Sequence, residues 1–196
     1  MISRRRFLAG SAGLAVVAVA CTDGDGAAGD QPDLDLATGA ARMEKVVVDT
    51  YTSLRATAVQ GRLGAAIPQA FVEFLTAATG HHLEHLHAWN RALTAAGRGA
   101  VDSPDPDLRL AVDGAMVRLA DIPAAVSLAL RIEDYASRTY LEAITTLRGE
   151  DAVRTAAQIL VVDQQHQAVL RHILGLSPAG RDFAPADPSP GVISSR

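Results

Sequence analysis

Apolar residues recur at steps of three and four along most of this chain, which is the spacing of one helix face. The clearest ladder is Phe71, Leu75, Ala78, His82, His85, Trp89 and Ala92, on a helix expected from about Pro68 to Ala96. A preceding helix, about Ala40 to Arg62, has the stripe Glu44, Val47/Val48, Tyr51, Leu54 and Ala58. A third, from Ile122-Pro123 to about Leu147, has Val126, Leu130, Glu133, Ser137, Tyr140 and Ile144. A fourth, about Asp151 to Leu174, has Ile159, Asp163, His166, Leu170 and Ile173, with Gly175 as its cap. The β-branched run Val46-Val47-Val48 lies inside helical periodicity and gives no strand signal. The stretch 101–110 is rich in Pro and Asp and reads as a loop; 111–119 reads as a short crossover helix. The pattern predicts an all-α, antiparallel four-helix bundle with a long connection between its second and third long helices.

Each stripe has a polar interruption near its middle. A buried polar group without a partner costs a few kcal/mol, so Glu44, His82, His85, Glu133, Asp163 and His166 are expected to meet. Spacings repeat: Glu44 and Tyr51 are separated as Glu133 and Tyr140 are, and His82-x-x-His85 matches Asp163-x-x-His166. The chain therefore reads as an internal two-fold repeat of helical hairpins. Three carboxylates and three imidazoles on one axis suit a shared cation. Hard oxygen mixed with imidazole points to iron or zinc, one ion or two, over calcium or magnesium. Tyr51 and Tyr140 are expected as core residues whose hydroxyls reach this centre. His81, Glu84 and His87 fall on the flank of their helix and are expected to be solvated, as is His172. The same stretch also reads His81-x-x-Glu84-His85, a zinc-protease pattern, but the helical pattern leaves no second element for a substrate cleft.

Composition changes the picture in two ways. Hydrophobic residues make up 48% of the chain and aromatics only 4%, which suits closely packed Ala-rich helices. The formal net charge is −4, and residues 1–20 carry three arginines and no acid, so the remainder is more acidic still. This argues against a nucleic-acid partner.

Residues 1–20 read as an export signal, with a basic start, a short apolar run and small residues at its end. Ser3-Arg4-Arg5-Arg6-Phe7-Leu8 resembles the twin-arginine type. Cys21, the single cysteine, stands where a bacterial lipobox has its lipidated residue, although Ala18 replaces the usual Leu. The expected product is an exported protein of the cell envelope, anchored to the membrane through Cys21 or secreted. Residues 21–39 read as a flexible tether, 40–176 as the folded domain and 177–196 as a disordered Pro-rich tail. A tethered, tailed bundle suits a monomer or homodimer.

Taken together, the motifs resemble the ferritin-like superfamily, and more closely the exported bacterial proteins with a ferritin-like domain. The resemblance rests on Glu44 to Tyr51, His81-His82-x-x-His85 with Asn90, Glu133 to Tyr140, and Val162-Asp163-x-x-His166 with Leu170-Arg171. It implies that Glu44 and Glu133 are the two single glutamate ligands and that His85 and His166 are the two histidines. His82 stands where the family has a bridging Glu, and Asp163 stands where it has the second Glu. The resemblance implies a metal-binding protein, with iron oxidation or peroxide removal as the activity class. A metal-free relative serving as an interaction or structural module of the envelope is the other reading.

Overall fold

The computed structural model describes residues 31–64 and 67–178. Five helices form: α1 (Gln31–Val59), α2 (Gln69–Ala95), α3 (Pro106–Met116), α4 (Ile122–Thr146) and α5 (Glu150–Ile173). No strand occurs among the described residues. The four long helices make the expected bundle. α1 packs on α2 and α4 on α5, as two hairpins, and the hairpins meet through α2 with α5 and α1 with α4. Cross-bundle contacts run in opposite directions: Tyr51 meets Glu133 while Glu44 meets Tyr140. Neighbouring long helices are therefore antiparallel. Among the described residues no helix is long and apolar enough to cross a membrane.

Helix ends follow local chemistry. α2 and α5 both stop at a glycine in the left-handed region, Gly97 (φ 75°) and Gly175 (φ 71°). In each, the next amide reaches back to the last turn, Arg98 N to Leu93 O and Leu176 N to Arg171 O, both at 2.8 Å. A side chain with a Cβ is strained at that φ, which is why glycine stands there. At the start of α3, the Asp105 carboxylate accepts from the amides of Asp107 and Leu108, and Pro106 fills the first turn.

Two expectations about boundaries are corrected. Residues 31–39, read as part of the tether, are the first turns of α1. Ala37 is buried and Leu34 packs against the core. Asp33, also buried, accepts from the amides of Arg148 (3.1 Å) and Gly149 (2.7 Å) at the entry to α5. Gly149 itself has no capping side chain, so a carboxylate from the far hairpin supplies one. The folded domain therefore includes Gln31–Gly39 and does not start at Ala40. The crossover helix also starts at Pro106, inside the stretch read as a loop, and ends at Met116. The connection is pinned at Val101, whose amide and carbonyl both bond the Asn90 side chain (2.7 and 3.0 Å). The expected signal, Cys21, the tether up to residue 30 and the tail from residue 179 lie outside the described residues.

The core is built from small and aliphatic side chains around a few large ones. Ala41, Ala58, Ala78, Ala125, Ala129, Ala136 and Ala156 are fully buried and let the helices approach closely. Trp89 stacks on Tyr140 (ring centroids 6.2 Å apart, 7° between planes) and donates to its hydroxyl at 3.0 Å. The Tyr140 hydroxyl in turn donates to Glu44, so this pair adjoins the polar centre.

Candidate metal centre

Each of the four long helices brings its polar interruption to one point midway along the bundle. α1 supplies Glu44, α2 His82 and His85, α4 Glu133, and α5 Asp163 and His166. Glu44, His82, Glu133 and Asp163 are fully buried, and His85 and His166 nearly so. Their donor atoms fall into two overlapping groups compatible with a metal ion, His82–Glu133–Asp163–His166 and Glu44–His82–His85. All six residues singled out by the sequence pattern are thus at one centre.

The two tyrosines tie it together reciprocally. Tyr51 of α1 donates to Glu133 Oε1 (2.5 Å) on α4, and Tyr140 of α4 donates to Glu44 Oε1 on α1. The repeated spacing in the sequence is therefore a structural two-fold. Burial raises both phenols well above their ordinary pKa, and the adjacent carboxylates, Glu133 and Glu44 respectively, push the same way. Both hydroxyls stay protonated and act as donors.

His82 lies between the two glutamates. Its Nδ1 is 2.7 Å from Glu44 Oε2 and its Nε2 is 3.2 Å from Glu133 Oε1. Two carboxylate partners call for a proton on each ring nitrogen. Burial opposes that charge, but the two glutamates outweigh it and raise the His82 pKa well above its usual value. Burial likewise raises each glutamate, and His82 overrides it, holding both at about 2. The three groups form a buried ion triad.

Asp163 behaves differently. Burial, followed by the neighbouring Glu133 charge, raises its pKa well above the ordinary range. Neither of its oxygens has a hydrogen-bond partner. The other buried, unpartnered side-chain atoms among the described residues are His85 Nδ1, Glu133 Oε2 and His166 Nδ1. His85 Nδ1 is 4.0 Å from Asp163 Oδ1 and 3.5 Å from Glu44 Oε1. His166 Nδ1 is 3.2 Å from Glu133 Oε1 without the alignment of a hydrogen bond. Buried polar atoms are nearly always paired in folded proteins. Among the described residues these exceptions lie in one cluster, and each is an oxygen or imidazole nitrogen, atom types able to ligate a transition metal.

The profile of the ferritin-like domain matches residues 32–176. The chain belongs to the ferritin-like domain family. No curated protein and no solved structure matches it. Within the ferritin-like arrangement of one Glu from each of two helices and an i, i+3 pair from each of the others, this chain has His82 and Asp163 in place of two glutamates. The resulting centre has three carboxylates and three imidazoles.

Sequence reasoning missed one participant. His81 is exposed, as its flank position implies, yet its Nδ1 lies 2.9 Å from His166 Nε2 with the two rings nearly parallel (4°). The run of adjacent histidines was the available signal. Its reach to another helix depends on a rotamer and a helix separation that periodicity does not encode. Glu84, His87 and His172 are exposed, as expected, and Glu84 belongs to neither candidate metal group.

Proposed function

We propose that this chain is a metal-binding protein of the cell envelope, holding a single transition-metal ion, iron or zinc, on Glu133, Asp163 and His166, which share one candidate group, with His85 beside them, 4.0 Å from Asp163 Oδ1. The observation that carries the reading is the confinement of the unpartnered buried atoms, among the described residues, to His85, Glu133, Asp163 and His166. An ion there would satisfy atoms that otherwise remain desolvated and unpaired. Glu44 and His82, by contrast, are already engaged: both Glu44 oxygens accept hydrogen bonds and both His82 nitrogens face carboxylates. On this reading they balance charge beside the ion. Bound iron would supply one-electron chemistry, and zinc would supply a Lewis acid.

Elemental analysis of the purified chain tests this. About one equivalent of metal is expected, lost on His166→Ala and kept on His172→Ala, which alters an exposed histidine. Equal loss from both would count against the assignment.

The second reading, a metal-free interaction module, is favoured by the Glu44–His82–Glu133 triad, which is internally paired without an ion. A well-folded chain that takes up no metal on reconstitution would select it.

Placement in the envelope rests on the first 21 residues. Cys21→Ser should move the protein from the membrane fraction to the soluble one. Unchanged fractionation would remove lipid anchoring from the proposal.

A further inference from the structure

The two ring nitrogens of His166 have unlike surroundings. Nδ1 is buried, has no hydrogen-bond partner and lies beside Glu133. Nε2 is 2.9 Å from Nδ1 of His81, an exposed residue. The ring is held on two sides: His81 lies parallel to it, with centroids 5.2 Å apart, and Phe74 meets it edge-on at 5.6 Å and 88°. Phe74 fixes the orientation of the ring but exchanges no proton with it. His81 supplies the polar contact at Nε2.

A hydrogen bond between two neutral imidazoles joins one N–H to one lone pair. Two arrangements satisfy the contact. In one, His166 carries its proton on Nε2 and donates to His81 Nδ1, leaving the Nδ1 lone pair directed at the polar centre. In the other, the His166 proton sits on Nδ1, and that nitrogen cannot bind a metal. The absence of an aligned hydrogen bond from Nδ1 to Glu133 fits the first arrangement. A ligating histidine whose second nitrogen donates to a neighbour is the usual way a tautomer and ring orientation are fixed for metal binding.

We propose that His81 is a positioning residue: it accepts the Nε2–H of His166 and so presents the His166 Nδ1 lone pair to the metal. Adjacent positions on α2 then serve the centre in different ways. His82 spans the two glutamates, and His81 reaches over the rim to orient a ligand on α5. The inference rests on the metal-binding reading above, and its test separates the two.

The first measurement needs no metal. Long-range proton–nitrogen NMR on the metal-free full chain reports which ring nitrogen of His166 is protonated. An Nε2–H tautomer is expected, and an Nδ1–H tautomer would overturn the proposal.

The second measurement titrates the full chain with Co²⁺, read by its absorption spectrum. His81→Leu should weaken binding roughly 10–100-fold with unchanged circular dichroism. His81→Gln, whose amide oxygen can accept the same hydrogen, should restore most of the affinity. Wild-type affinity in the Leu variant, or a Gln variant no better than Leu, would overturn the positioning role. If the unmodified chain binds no Co²⁺ at all, the metal-binding reading fails and this inference falls with it. Failure of the Leu and Gln comparison in a chain that does bind leaves the metal-binding reading standing.

Discussion

Replacing His82 with leucine is expected to lower the stability of the metal-free protein by about 3–5 kcal/mol. Leucine is close in size, so the change is mainly one of charge. Glu44 and Glu133 are fully buried, and His82 is the cation that offsets them. Without it, two carboxylates remain in a low-dielectric core with only the tyrosine hydroxyls as donors. Their pKa values would then rise, and the deficit should narrow as acidic pH lets them take up protons.

The wild-type triad also has its own pH window. The two glutamates have folded pKa values below the unfolded 4.5, so their contribution is complete above 4.5 and lost as pH falls toward about 2. His82 has a folded pKa above the unfolded 6.5, so its contribution is complete below 6.5 and lost as pH rises through the folded value. Urea unfolding of both proteins at several pH values, with a chelator present, measures the difference. A loss under about 1 kcal/mol at pH 6, the size of an exposed ion pair, would mean that the triad is not a buried charge pair in solution.

Asp163→Asn should have the reverse profile, with metal binding lost and the metal-free fold unharmed. Asparagine keeps the shape of the protonated acid but offers no anionic oxygen. The expected loss of Co²⁺ or Zn²⁺ affinity exceeds the roughly 10–100-fold that follows removal of an outer partner.

Stability should move the other way. Asp163 has a folded pKa well above the unfolded 3.8, owing to burial and then to Glu133. Its contribution is therefore fully present below 3.8 and declines as pH rises toward the folded value. Asparagine does not titrate and escapes that decline. The metal-free variant should match wild type near pH 4 and unfold at a higher temperature at pH 7. A variant that is less stable than wild type at pH 7 in chelator would show that Asp163 is ionised and paired in the native state.

The long helices were legible in the sequence because their apolar stripes are regular and glycine or proline marks most ends. α2, α4 and α5 fall within a residue or so of expectation. The start of α1 was not legible. Gln31 to Gly39 is poor in large apolar residues, and its helicity is secured by Asp33 binding backbone at the other hairpin, a contact made only in the folded chain. The start of α3 is hidden because Asp-rich, Pro-rich sequence carries loop signals, although Asp105-Pro106 is a helix start in its own right. The six inward residues followed from stripe position alone. What spacing could not supply was their division of labour. Which atoms pair and which are left open depends on distances between helices, as does the reach of His81 to His166.

The reciprocal tyrosine–glutamate bonds also bear on how the bundle chooses its alignment. A core lined with alanines offers shallow, repetitive grooves, and one helix can slide along another by a turn, about 5.4 Å, and still find similar apolar packing. Such a slip would carry Tyr51 away from Glu133 and Tyr140 away from Glu44 together, leaving four buried polar groups stranded. A single polar pair is known to set register in helical coils at some expense of stability. Here two crossed pairs and a central imidazole would act as index pins. The chemistry of the centre thus makes one packing of this small-residue bundle distinct from its near neighbours.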